Sequence, residues 1–109
     1  MNTSVEIQLT LNERSTTHGD FKANASVMQH LKEIVRAERG WNNLSSTQRE
    51  AIEMICHKLG RILCGNPNHS DHWHDIAGYA TLVENIILTG KSHPTLPSNT
   101  QSNQGSNHV

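Results

Sequence analysis

The sequence predicts an all-α fold, a small bundle of three main helices, on three observations. Apolar residues recur at helical spacing in three separate stretches, each stretch opens on a capping residue, and a glycine follows each. A chain of 109 residues has room for one domain. It divides into an N-terminal segment at 1–16, an all-α domain at 17–90 and a tail at 91–109.

In the N-terminal segment Val5, Ile7, Leu9 and Leu11 alternate with polar residues. Alternation is a strand signature, but a lone strand is unstable. The segment is therefore expected to be extended, to begin a short helix, or to pair across a subunit boundary. The polar stretch that follows, through Asp20, reads as a turn. The first main helix is expected from Phe21 to Glu38, with Asp20 as N-cap and Phe21, Ala25, Met28, Leu31 and Val35 on its buried face.

The second helix opens on a capping box, Ser45 with Gln48 or Thr47 with Glu50, and stops at Gly65. Ile52, Ile55, Cys56, Leu59, Ile62 and Leu63 form its buried stripe. Glu50, Glu53, His57 and Arg61 share the opposite face, with Lys58 at its edge. Past Asn66-Pro67 a third helix starts with Ser70 or Asp71 as N-cap and ends at Gly90. Trp73, Ile76, Ala77, Ala80, Val83 and Ile87 make its stripe, and Asp71, Asp75 and Gly78 lie on the other side. A mid-helix glycine costs about 1 kcal/mol against alanine, so Gly78 implies a close approach to the backbone. From Lys91 onward Ser, Asn, Gln, Pro and Thr leave almost nothing to bury, and disorder is expected.

Three helices make a thin core, and small domains often bury the remainder between copies. A homo-oligomer, in the simplest case a dimer, is the expectation. Trp41, Trp73 and the N-terminal apolar segment are its candidate interface. With a net charge of -1 and a pI near 6.7, neither a nucleic acid polymer nor a membrane surface is an expected partner. The longest apolar run is too short for a leader or a span, which points to the cytoplasm. Cys56 and Cys64, eight residues apart on one helix, are too distant for a disulfide and are expected as free thiols.

The pattern with the most chemistry is Glu50-x-x-Glu53 on one helix and His72-x-x-Asp75 on the next. Carboxylates at i and i+3 can grip one divalent cation, and Asp75 from a facing helix would complete an oxygen-rich shell suited to Mg²⁺. Lys58 and Arg61 lie where cations could take up phosphate charge. The plainer reading is a solvated helix face. His18 and Asp20 flank Gly19 before a helix start, an arrangement that fits anion binding or, more plainly, a tight turn and an N-cap. His72 or His74 is a candidate ligand or acid-base group. No Cys-x-x-Cys pair or zincin motif organises the His and Cys residues, so structural zinc is not expected.

Thr17-His18-Gly19-Asp20-Phe21, Gln48 to Met54, Lys58 to Leu63 and Asp71 to Ala80 (with its Asp-Ile-Ala-Gly-Tyr run) resemble a family of small phage and prophage proteins of unknown function. The resemblance spans roughly residues 10–88 and implies a bacteriophage accessory protein in a bacterial host cell. The paired motifs on successive helices also resemble, more distantly, the all-α MazG-type nucleoside triphosphate pyrophosphohydrolases. That resemblance implies Glu50, Glu53 and Asp75 on metal, with His72 in place of a carboxylate, which shifts preference from Mg²⁺ toward Mn²⁺ or no metal.

The expectation is a phage-encoded protein that binds a nucleotide, or a nucleotide signal of host defence. Its candidate ligand residues are His18, Asp20, Lys58, Arg61, His72 and Tyr79. A metal-dependent pyrophosphohydrolase and an inhibitor that docks on a host protein are the alternatives.

Overall fold

The computed structural model describes residues 3–91, and these form four α-helices and one 3₁₀ helix with no strand among them. Helix α1 is Thr3–His18, α2 is Phe21–Ala37, the 3₁₀ helix is Arg39–Asn43, α3 is Ser46–Cys64 and α4 is Ser70–Thr89. The tail expected to be disordered lies, past Lys91, outside the described residues.

The alternating N-terminal segment is helical, and the helix runs past residue 16 through His18. At 100° per residue a spacing of two throws Val5 and Leu9 to one side and Ile7 and Leu11 to another, roughly 160° away. No single stripe can then face a core. Accordingly α1 has no buried residue, and those four side chains stay 51–58% exposed.

Helices α2 and α3 run antiparallel, joined by rungs at a constant register. Arg36 pairs with Glu53 at 2.8 Å, Lys32 Nζ meets His57 Nε2 at 2.9 Å, and Met28 lies over Gly60. The caps are those the sequence predicts. Asp20 Oδ2 accepts from Ala23 N–H, and Ser45 and Gln48 form the reciprocal capping box. Helix α4 packs on another side of α3, where Lys58 meets Asp75 at 2.9 Å.

Helix α3 therefore sits in the middle and buries two faces. This corrects the single-stripe expectation, since Glu53 and His57, placed on a solvated face, contact α2 instead. The buried set reflects this mixture: Met28, Ala51, Cys56 and Ile62 are joined by Asn24, Lys32, Lys58 and His72. Cys56 is buried, Cys64 half-buried, and both are free thiols.

Three further expectations are overturned. Phe21 is 84% exposed, because it is the first residue of α2 and precedes the part that meets α3. Trp73 is half exposed, and its indole N–H donates to Pro67 O at 2.8 Å across the α3–α4 turn. Gly78 answers no crowding within the chain, since a Cβ there would meet nothing within 4 Å. The N-cap of α4 is His69, and its side chain makes no capping bond.

The close approach occurs elsewhere, between the α1–α2 turn and the α3–α4 turn. Gly19 has φ of 85°, and a Cβ on it would collide with the Cys64 carbonyl. Opposite, a Cβ on Gly65 would strike the backbone of Thr17 and His18. Asn66 N–H donates to Thr17 O at 3.0 Å, and His72 Nε2–H donates to the same oxygen at 2.9 Å. The Asn24 amide donates to the carbonyls of His18 and Asp20. Helix-end carbonyls with no intrahelical partner are satisfied by these donors. No described helix is long and apolar enough to cross a membrane.

Candidate functional site

Because the two turns cross, the C-terminal end of α1 lies beside the start of α4 and over the second half of α3. A groove of about 470 Å³ opens among these three elements. It brings together His18, Lys58, Arg61, His72 and Asp75 of the sequence-predicted residues, and adds Arg14 and His69.

His72 is the fixed point of this groove. It is only 1% exposed, and its bond to Thr17 O places a proton on Nε2. Around it are two more imidazoles, with ring centres 5.1 Å away for His18 and 4.8 Å for His69. Lys58, nearly buried, is held by Asp75, and that ammonium lowers the Asp75 carboxyl below its ordinary value. Glu13, Asp71 and Asp75 supply carboxylates to the lining, as Arg14, Lys58 and Arg61 supply cations. Their positions differ in consequence. Asp75 is paired with Lys58 and Asp71 lies 3.5 Å from His69, whereas neither Arg14 nor Arg61 is in an ion pair. Burial first, then Arg61, His72, Lys58 and Arg14, push the His18 pKa below 6.5. The field at the His18 end is thus net positive.

The other predicted residues lie apart from the groove. Asp20 caps α2. Glu50 and Tyr79 line a separate cavity between α3 and α4. Glu53 accepts from the Arg36 guanidinium. The carboxylates proposed for Mg²⁺ or Mn²⁺ are therefore not gathered on one ion, and among the described residues no three His, Cys, Asp or Glu side chains are grouped to hold a metal. The residues present do not fit the carboxylate-held cation implied by the MazG resemblance.

Arg14 was not legible as a site residue, because α1 carries no core stripe to orient it. His69 stood within a recognised His cluster, but nothing in its spacing marked it as lining a groove with His18.

With this geometry in hand, a comparison with known families is informative. The family described as "Domain of unknown function (DUF6378)" matches residues 6–87. The chain belongs to this family. The DUF6378 match takes in all four helices in large part, α1 included, so the groove's three walls fall within the family domain. No curated protein and no solved structure matches the chain.

A pH effect on stability follows from the imidazoles. Burial first, then the Lys32 ammonium, lower the His57 pKa below 6.5, as burial and cations do for His18. Both groups bind fewer protons folded than unfolded. Their contribution is complete above about pH 6.5 and is lost as pH falls through the lower native values. The melting temperature is expected to hold from about pH 8 to 7 and to fall between about pH 6.5 and 5. In His57→Gln, whose amide oxygen can still accept from Lys32, the fall should shrink; an unchanged profile would remove His57 from the account.

Proposed function

We propose that the groove binds the phosphate portion of a nucleotide or a nucleotide-derived signal, with Arg14, His18, Lys58 and Arg61 as the groups that take up its charge. The observation that supports this most is the pair of guanidiniums without ion-pair partners, converging on an imidazole whose proton they repel. A phosphate there would pair with Arg14 and Arg61 through charge-assisted hydrogen bonds and let His18 regain its proton. The reading is of retention rather than cleavage, since Glu50, Glu53 and Asp75 have separate surroundings. In the context suggested by the phage-like signature, such a protein would sequester a nucleotide signal of host defence.

The test is equilibrium dialysis of the pure chain against nucleoside triphosphates and cyclic nucleotides, with and without Mg²⁺ or Mn²⁺. Filtrate and heat-denatured protein are then chromatographed. An intact nucleotide released on denaturation is expected, with binding weaker by roughly ten- to a hundred-fold in Arg14→Gln or Arg61→Gln. Binding should tighten as pH falls from about 7.5 to 6.5, as His18 recovers its proton. Monophosphate and pyrophosphate in the filtrate would replace retention by hydrolysis. Affinity indifferent to both arginines would reject the groove.

A further inference from the structure

A second cavity, of about 440 Å³, adjoins the groove and shares Arg14, His18 and Arg61 with it. Its remaining wall differs in character, with Leu11, Phe21 and Met28 as apolar side chains and His57 as a flat ring. Phe21 is the chain's one phenylalanine, and it stands 84% exposed at the start of α2. A lone aromatic left in water beside a cavity gains free energy from any ring that covers it. His57 accepts from Lys32 at Nε2, so it presents an uncharged face.

Polar atoms interrupt this wall. Asn24 is 4% exposed and lines the cavity; its amide nitrogen is used on two carbonyls, and its Oδ1 is buried without a hydrogen-bond partner. Ser15 and Asp20 line the cavity as well. An alkyl chain would desolvate such groups without replacing their hydrogen bonds, whereas the edge of a heterocycle offers donors and acceptors.

We propose that this cavity receives the base of a nucleotide whose phosphates lie in the groove, with Phe21 stacking on the base and Arg14, His18 and Arg61 marking the passage between the two compartments. The proposal rests on the reading of the groove as a phosphate site. It assigns the ligand class as a base-bearing phosphate rather than a bare polyphosphate, and it makes Phe21 a binding residue rather than a core residue.

Isothermal titration of the full chain with ATP, GTP, CTP, UTP and inorganic triphosphate separates the two claims. At least one nucleotide is expected to bind about ten-fold or more tightly than inorganic triphosphate. Phe21→Ala should bring that nucleotide down to the level of triphosphate and leave triphosphate binding unchanged. Phe21→Trp, which retains a stacking ring, should restore the preference. Because Phe21 is exposed, the melting curve should not move in either variant. Equal binding of triphosphate and every nucleotide, insensitive to Phe21→Ala, would overturn the base compartment and leave the groove standing. If neither triphosphate nor any nucleotide binds, the groove reading fails and the base compartment fails with it.

Discussion

Replacing Gly19 by alanine is expected to lower the melting temperature by roughly 15–30 °C, a loss of about 3–5 kcal/mol in a domain of this size. Two effects combine. The φ of 85° lies in the left-handed region, where a Cβ costs roughly 1–2 kcal/mol. The new methyl would also be driven into the Cys64 carbonyl, a backbone atom that cannot rotate aside. The α1–α2 turn must then lift off the α3–α4 turn, and the bond from Asn66 N–H to Thr17 O is stretched with it. Gly40, where a Cβ would meet nothing within 4 Å, is the matched control. Gly40→Ala should change the melting temperature by only a few degrees. Equal, small effects at both positions in thermal unfolding would show that the turns do not cross as described.

The second large effect is expected at His72. Truncation to alanine removes a side chain that is 1% exposed and leaves Thr17 O with Asn66 as its remaining donor. Cavity formation and the lost hydrogen bond together should cost roughly 2–4 kcal/mol. The location of the damage is the sharper check. Hydrogen exchange should accelerate in the last two turns of α1, which His72 ties to α4, more than in α2. His74→Ala, at an exposed position of the same helix, should be within about 0.5 kcal/mol of the parent. Uniform acceleration across all four helices after His72→Ala would mean that the residue supports the core at large rather than the α1 junction.

Both predictions concern residues whose importance was only half legible in the sequence. The helices that announce themselves by caps were readable: Asp20 before α2, the Ser45–Gln48 box before α3 and Gly90 after α4 act locally, and local chemistry survives whatever the tertiary packing does. The phase of the buried faces was less readable. A search for apolar stripes assumes that burial is apolar, and here α4 turns His72 and Asp75 inward while Trp73 stays out. The same assumption put Glu53 and His57 in solvent, when Arg36 and Lys32 were waiting on α2 to receive them. Polar pairs between helices leave no periodic trace, because each half reads as a surface residue until its partner is known. Helix α1 shows the opposite failure. Its alternating pattern suggested a strand because the rule measures burial, and α1 buries nothing. Of the candidate site, His18, Lys58, Arg61, His72 and Asp75 were found from charge and spacing, whereas Arg14 required knowing that α1 ends against α4.

The crossing of the two turns also has a bearing on the order in which the molecule assembles. The rungs between α2 and α3 join residues 17 to 25 apart in the chain, whereas the bond from His72 to Thr17 spans 55. Closing the shorter loops costs less entropy, so the α2–α3 hairpin can form while the groove does not yet exist. The groove then appears only at the last docking step, when α1 and α4 meet. A ligand held there grips a contact made late and broken early, so its effect should fall on the unfolding rate and leave the folding rate nearly unchanged.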